Sequence, residues 1–334
     1  MTNSYKLFVG ADEAGYGPNL GPLVVAGTAW RVPESISERV FCEILSSTFG
    51  PRPLAANLLH VPLGDSKRLY KPKSSLKHLE AGIWALLPLH TDANFGAFTD
   101  GYVEVRGDLL SWYGGAFEKQ CPSALSPEQA LALRKLATGF LNEHDIQLLG
   151  VQAIVIAEGF FNSEVERTGS KGQLLSSTTL KLVSKLQSRY RVDAKNGSQL
   201  SCEIFCDRQG GRRNYLPVMQ EAMPDSWFQP AQSSRQADAI GKSAERISYE
   251  ELDSRTRIHF TIGGDSFPPA GLASMVAKYV REQLMWGYND FWSQRIPGIK
   301  PTAGYPQDAK RFEAEVASEA RRMGVDSSDW WRCR

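Results

Sequence analysis

Runs of apolar residues that end at glycines or acidic residues recur along the chain. Their content of β-branched and aromatic residues, and their short length, predict strands. The predicted strands cover 5–11, 21–30, 151–157, 200–206 and 257–262. A glycine-rich turn joins the first two, which favours a hairpin.

Other segments place apolar residues at helical spacing. Helices are predicted at 127–143, 174–189, 270–286 and about 306–323. In the second of these, Leu175, Leu182 and Leu186 fall on one face, as in an amphipathic helix. Pro268 and Pro269 suit the first turn of the third helix, where an amide has no partner to lose.

Strands and helices alternate without an internal repeat, which predicts one α/β domain over 1–334. The segment 88–150 holds a possible short strand and one predicted helix, but no cluster of acids or glycines, so it is predicted to be an insertion. The charges of mixed sign from about 306 predict a solvated helical extension over 306–334.

The composition restricts the class of protein. With 334 residues, 42% hydrophobic and 22% charged, the chain resembles a soluble globular protein, and a net charge of +1 means that a polyanion must be bound by a local basic patch. Five cysteines without a CxxC pair suggest neither a zinc ribbon nor a disulfide framework, and favour a reducing, cytoplasmic location. No membrane segment is expected, because no run of eighteen apolar residues occurs.

Acidic residues follow three of the predicted strands. Asp12 and Glu13 follow the first, Asp207 the fourth and Asp265 the fifth. If these strand ends are adjacent, four carboxylates meet at one edge of the sheet, where they would repel each other unless divalent cations such as Mg²⁺ or Mn²⁺ bind between them. Two such ions about 4 Å apart can activate a water and stabilise the leaving oxygen of a phosphodiester. Each acid can instead be a turn residue, and Glu158, which also follows an apolar strand, fits the same pattern.

Five segments with distinctive glycine, acidic or basic residues follow one another along the chain. They are GADEAGYGPNLGPLVVA (10–26), LGDSKRLYKP (63–72), EIFCDRQGGRRNY (203–215), GGDSFPPAGLASMVAKYVRE (263–282) and AGYPQDAKRF (303–312). In this order they resemble the motifs of the ribonuclease HII family (type 2 ribonuclease H). The segments 88–150 and 224–255 have no clear counterpart there.

The resemblance implies a ribonuclease H-like mixed sheet flanked by helices. It also implies hydrolysis, with Mg²⁺ or Mn²⁺, of the RNA strand of RNA–DNA hybrids or of the bond at ribonucleotides embedded in DNA, leaving a 5′-phosphate and a 3′-hydroxyl. The acids carried over as catalytic residues and metal ligands are Asp12, Glu13, Asp207 and Asp265. Glu158 has no such role in this resemblance.

The turn after the first strand departs from the family pattern. The family usually has Gly-Arg-Gly where this chain has Gly15, Tyr16 and Gly17, and that turn contacts the 2′-hydroxyl of the substrate. Both glycines are kept, so close backbone contact with ribose is expected to persist. The tyrosine ring can stack or merely pack, and without the arginine the flanking phosphates are expected to be held less tightly.

Basic residues offer candidate phosphate contacts. Lys67 lies in a stretch with Arg68, Lys71, Lys73 and Lys77, which is either a phosphate-binding cluster or a solvated loop. The same two alternatives hold for Arg212 and Arg213, which follow the third acidic motif.

The resemblance also assigns three residues of the last two motifs. Ser274 and Lys278 are expected to face the site or to support it. Tyr305 resembles the family tyrosine that stacks on the sugar beside the cut, although a tyrosine in such a turn can equally be a packing residue. Two alternatives stay open: a non-catalytic hybrid-binding protein on the same fold, motivated by the altered turn, and a nuclease of this fold that acts on a different nucleic acid.

Overall fold

A computed structural model describes residues 4–72, 74–192, 197–209, 211–231, 246–252 and 254–333. The strands of these ranges are β1 (Tyr5–Ala14), β2 (Leu23–Pro33), β3 (Phe49–Gly50), β4 (Val61–Pro62), β5 (Val103–Arg106), β6 (Gln147–Ile156), β7 (Ser201–Asp207), β8 (Phe228–Pro230), β9 (Arg246–Glu251) and β10 (Thr256–Thr261). The helices are α1 (Glu38–Ser46), α2 (Ser66–Leu69), α3 (Lys77–Leu86), α4 (Phe95–Tyr102), α5 (Gly114–Glu118), α6 (Pro127–Glu143), α7 (Glu158–Thr168), α8 (Lys171–Tyr190), α9 (Leu216–Ala222), α10 (Pro268–Arg295) and α11 (Pro306–Arg322). Short 3-10 turns lie at Ser111–Tyr113, Gly264–Ser266 and Ser327–Asp329.

One mixed sheet organises the chain, with strand order β5-β6-β2-β1-β7-β10-β9-β8. The predicted hairpin of β1 and β2 is antiparallel, and β6 pairs antiparallel with β2. On the other side of β1, the strands β7 and β10 run parallel to it, so that β1, β7 and β10 end at the same edge. The mixed α/β fold expected from the sequence is confirmed.

Helices cover both faces of the sheet, because alternate residues of each central strand point to opposite sides. Phe8 and Val24 belong to the apolar core on the side of α10, whereas Leu7 and Val9 belong to the core on the side of α8. Helix α10 buries Leu272, Met275, Val276 and Tyr279, each almost fully. Burying a side chain of this size contributes roughly 1.5–3 kcal/mol.

A glycine allows α10 to approach β1 closely. A Cβ built on Gly10 would lie 2.2 Å from the backbone nitrogen of Ala270, so only glycine is accommodated at this crossing. The hydroxyl of Thr28 on β2 donates to the carbonyl oxygen of Pro269 at 2.8 Å. The first turns of α10, which begin at the predicted proline pair, are thereby held against the strand that carries Asp12.

All of the strands and helices predicted from the sequence are present, and the helix predicted over 127–143 has these bounds in the structure. Several elements were not predicted, among them α1, α3, α7 and β9. Lys73 of the basic stretch around Lys67 and Gly210 of the third motif segment lie outside the described ranges. Among the helices of the described ranges, none has both the length and the apolar character that a membrane crossing requires.

The segment 88–150 carries α4, β5, α5 and α6, and ends within β6. Its buried side chains, such as Trp112 and Leu133, join the core on the α10 side. Trp330, which follows α11, packs edge-to-face on Trp112 with ring centroids 6.3 Å apart. The insertion and the chain after α11 therefore share one apolar core, and their assignment as parts of a single domain stays a prediction.

Candidate active site

The ends of β1 and β7 place two of the predicted acids side by side. Ala11 of β1 pairs with Cys206 of β7 in parallel register, and Asp12 and Asp207 are the next residues of the two strands. Phe8 lies four positions before Asp12, and Phe205 lies two positions before Asp207, so each points to the same face as its acid. Both phenylalanines belong to the core on the α10 side. Asp12 and Asp207 therefore project from the same face of the sheet, toward α10.

The third strand end brings Asp265 to the same edge. Asp207 pairs with Thr261, the last residue of β10, and Asp265 lies in the 3-10 turn that follows. The backbone N–H of Gly264 donates to a carboxylate oxygen of Asp207 at 3.0 Å. This hydrogen bond fixes the turn that carries Asp265 against the end of β7.

The carboxylates of this edge interact electrostatically. Asp12 is 9% exposed, and burial, followed by the charges of Glu13, Asp265 and Asp207, raises its pKa well above the usual value. Burial, and then the charges of Asp207 and Asp265, raise the pKa of Glu13 to about 7, while Lys67 opposes the rise. Such shifts arise where carboxylates are buried and like charges gather beside them without enough positive charge to balance them.

A further acid, Asp65, lies at this edge and had no role assigned from the sequence. Burial, followed by the charges of Asp65 and Asp207, raises the pKa of Asp265 to about 7. Asp65 also accepts a hydrogen bond from the backbone N–H of Lys67 at 2.8 Å and so caps α2. Its place in the motif segment LGDSKRLYKP was the signal that could have identified it.

Lys67 is the basic residue that the structure brings to the acids. Burial lowers its pKa, but the charges of Asp265, Asp12, Asp65 and Asp207 outweigh this effect, and the pKa is raised. Lys67 and its neighbours Arg68 and Lys71 are all exposed. Lys67 is distinguished within the predicted basic cluster by the charges of the four acids that act on it.

The donor set suits a hard divalent cation, because all of its ligating atoms are carboxylate oxygens. In the part of the chain that the structure describes, however, no three His, Cys, Asp or Glu side chains form a group that could hold a metal ion. The mutual repulsion that adds to the effect of burial on these pKa values also favours separation of the carboxylates. The predicted residues therefore gather at one edge and fit the metal chemically, while the ligand group itself is not formed.

Ser274 of α10 lies beside Asp12, and its expected role in the site stays a prediction. Its hydroxyl donates to the hydroxyl of Ser66 at 3.0 Å, and a hydrogen bond with Asp12 partly offsets the rise in the pKa of that acid. Lys278, one turn later, has different partners: its Nζ lies 2.6 Å from a carboxylate oxygen of Glu282 and 4.9 Å from the ring centroid of Tyr70. The expected role of Lys278 in substrate binding stays a prediction.

The two glycines of the turn have different structural requirements. Gly15 has φ +88°, and a Cβ at this position would lie 2.3 Å from Nε of Arg281. Gly17 is exposed, lies outside the positive-φ region, and would place a Cβ in ordinary contact, 3.9 Å from Cε1 of Tyr305. The fold therefore requires glycine at position 15 only. Tyr305 is 54% exposed beside Gly17, a position open to a substrate.

Buried charged residues hold the turn after β1 by hydrogen bonds to its carbonyl oxygens, and the sequence analysis did not predict them. Arg332 donates from Nη2 to the carbonyl oxygens of Gly15, at 2.6 Å, and of Pro18. Arg281 donates to the carbonyl oxygen of Leu20 at 3.2 Å. Glu158, buried at the start of α7, supplies a nearby negative charge.

Glu158 thus has a structural position of its own. The hydroxyl of Tyr113 donates to its carboxylate, and burial raises its pKa while this hydrogen bond and the charges of Arg332 and Arg281 oppose the rise. The sequence pattern alone could not separate Glu158 from the other acids. The structure places it with two buried arginines, beneath the turn.

Comparisons with known protein-family models and with curated proteins find no match. Among solved structures, the chain is similar to one from the complex of PCNA and ribonuclease HII of Archaeoglobus fulgidus (14% identity, 98% of this chain and 96% of that chain, TM-score 0.38). It is also similar to ribonuclease H2 of Pyrococcus horikoshii OT3 (12%, 97% and 92%, TM-score 0.41) and to Bst-RNase HIII in complex with Mn²⁺ (12%, 99% and 67%, TM-score 0.41). At such identities the similarity concerns the fold, and it assigns no activity, metal or substrate to this chain.

Proposed function

We propose that this protein is a metal-dependent endoribonuclease of the ribonuclease H type. Its substrate is the RNA strand of an RNA–DNA hybrid, or the bond at a ribonucleotide embedded in DNA. The observation that supports this most directly is the meeting of Asp12, Glu13, Asp207 and Asp265 at the ends of three parallel strands, with pKa values raised in three of them. The order of the five motif segments supports the choice of substrate.

In this proposal Asp12, Glu13, Asp207 and Asp265 would hold Mg²⁺ or Mn²⁺. When bound, such ions supply an activated water and stabilise the leaving oxygen of the phosphodiester. The negative charge needed to bind the ions is already concentrated at the edge of the sheet. The positive charge of Lys67 would reduce the repulsion between these carboxylates and the scissile phosphate.

The remaining residues orient the nucleic acid. The exposed backbone at Gly17 can approach a ribose closely, and the ring of Tyr305 beside it is placed to pack on a sugar. The requirement for a 2′-hydroxyl follows from such close backbone contacts, because a group that hydrogen-bonds a hydroxyl is left unpaired by a substrate that lacks it. We further propose a cytoplasmic location and a single domain.

A cleavage assay tests the proposal with three duplexes: a hybrid, a DNA duplex with one ribonucleotide, and an all-DNA duplex, each with Mg²⁺ and with Mn²⁺. We expect cleavage of the first two only. Asp207→Asn and Asp265→Asn should each remove most of the activity, on the order of a hundredfold or more, while the exposed Asp225→Asn serves as a matched control. Circular dichroism should show that all three variants are folded.

Full activity of Asp207→Asn, or cleavage that persists in a chelator, would overturn the proposal. The altered turn at Tyr16 motivates the alternative of a non-catalytic hybrid-binding protein. That protein would bind the hybrid in preference to all-DNA duplex and cut neither with either metal.

A further inference from the structure

Two cationic side chains from distant parts of the chain act on Tyr16, one by contact with its ring and the other by its charge. The Nζ of Lys171, the first residue of α8, lies 4.8 Å from the ring centroid. The charge of Arg212, in the loop between β7 and α9, lowers the pKa of Tyr16 against the larger raising effects of burial and of Glu13. The hydroxyl of Tyr16 lies 3.6 Å from the Cβ position of Gly172. Tyr16 thus lies beneath Lys171 and within electrostatic reach of Arg212 and Glu13.

Both cations have positions set by neutral groups. Arg212 donates from Nη2 to the side-chain oxygen of Gln173 at 3.3 Å and lies 5.8 Å from the ring of Tyr215. Lys171 is held over the Tyr16 ring by a cation–π interaction. Neither Lys171 nor Arg212 forms a salt bridge with an acidic residue in the described ranges, and both are half-buried. Their charge is therefore available to an anion from outside the protein.

The residue at position 16 is compatible with this arrangement because it is neutral. An arginine there would add a third positive charge beside Lys171 and within electrostatic reach of Arg212, and like charges repel. An aromatic ring instead attracts the lysine. We call the two cations that act on Tyr16, Lys171 and Arg212, the Tyr16 cation pair.

We propose that the Tyr16 cation pair, Lys171 and Arg212, binds a backbone phosphate of the nucleic acid next to the ribose that the turn contacts. The positive charge is supplied by α8 and by the loop after β7, and not by the turn itself. This inference rests on the proposed function for the identity of the strand. In this inference Tyr16 positions the lysine that binds phosphate, and does not merely replace the arginine that the family usually has there. An isolated ribonucleotide can therefore be held as firmly as a continuous hybrid.

Binding titrations in a chelator test this inference, since no cleavage then occurs. The full chain is titrated with the single-ribonucleotide duplex and with the all-DNA duplex over a range of salt concentrations. Lys171→Gln and Arg212→Gln should each weaken binding and make the slope of log affinity against log salt shallower by about 0.9, because one phosphate contact fewer releases one counterion fewer. Lys181→Gln is the matched control, since Lys181 is exposed on the same helix. Lys171→Arg should keep the slope of the wild type.

Cleavage of the single-ribonucleotide duplex by the same variants separates this inference from the proposed function. If the wild type binds but does not cut, the nuclease proposal fails, and the salt slopes still decide whether the Tyr16 cation pair binds phosphate. If Lys171→Gln and Arg212→Gln have the slope of Lys181→Gln, the inference is overturned even when cleavage is observed. A wild-type chain that binds none of the duplexes overturns both.

Discussion

The guanidinium of Arg332 donates to the carbonyl oxygen of Gly15 at 2.6 Å, across 317 residues of sequence. The backbone N–H of Arg332 also donates to the carbonyl oxygen of Asn19 at 2.8 Å, and the side-chain amide of Asn19 donates back to the carbonyl oxygen of Arg332 at 3.0 Å. The turn that carries Tyr16 is therefore held in place by the chain that follows α11. Its conformation depends on tertiary contacts as well as on its glycines.

Arg332→Ala should lower the free energy of unfolding by about 3 kcal/mol. Breaking a buried charged network costs about 3–5 kcal/mol, and we expect the lower end because Arg281 still lies near Glu158. Urea unfolding measures the difference. The control is Arg322→Ala, since Arg322 forms an exposed ion pair with Glu319 and should cost less than about 1 kcal/mol. Equal losses in the two variants would contradict a supporting role for Arg332.

The two turn glycines should respond differently to alanine. Gly15→Ala should destabilise the protein by roughly 1–3 kcal/mol, because it combines a positive φ with a clash against Arg281. Gly17→Ala should leave the free energy of unfolding within about 0.5 kcal/mol but lower cleavage of both ribose-containing substrates, since the added Cβ stands between backbone and ribose. Urea unfolding and the cleavage assay are run on both variants. A fully active Gly17→Ala would show that the substrate does not approach this backbone.

The metal-free protein should lose stability as the pH rises from about 3.8, where unfolded Asp265 ionises, to about 7. The folded pKa values of Glu13 and Asp265 are about 7, against ordinary values of 4.5 and 3.8, so the folded state binds more protons than the unfolded state in this window. The penalty is absent below the window and complete above it, and we expect roughly 1–3 kcal/mol. Urea unfolding in a chelator measures it.

Asp265→Asn should flatten this pH dependence and raise the stability of the metal-free protein at pH 7, because one of the repelling charges is removed. Addition of Mg²⁺ to the wild type should restore stability at pH 7 by binding the ionised carboxylates. A wild-type protein whose stability is constant or rises between pH 4.5 and 7 in the chelator would show that folding does not raise the pKa values of these acids.

Lys67→Ala should weaken binding to all duplexes and reduce the salt slope by about one, with little change in the preference for ribose. It should also shift the pH dependence of cleavage upward, since Lys67 opposes the rise in the pKa of Glu13 and of Asp265. Lys71→Ala provides the comparison, because Lys71 lies in the same stretch and is exposed. Equal changes in both variants would indicate a diffuse basic patch in place of a specific contact by Lys67.

Local pattern was sufficient for the strands and helices that carry the site. The apolar runs before Asp12, Asp207 and Asp265 became three parallel strands, and the stripe of α10 became its buried face. Helix α3 (KHLEAGIWAL) was missed because seven of its ten residues are buried, which leaves no polar face to show the helical period. Strand β9 (RISYEE) alternates polar and apolar residues but has only two apolar ones, too few to be recognised, and its pairing with β10 places it in the sheet.

The sequence by itself determined which acids follow strands, where the glycine-rich turn lies, and the order of the motifs. Only the tertiary structure decided that Glu158 belongs with Arg281 and Arg332, and that Lys67 lies near the acids while Lys278 pairs with Glu282. It also decided that Lys171 lies over Tyr16, within reach of the charge of Arg212. The physical reason is the range of the forces involved. Hydrophobic period and turn chemistry act between residues a few positions apart, whereas burial and charge act between residues that packing brings together.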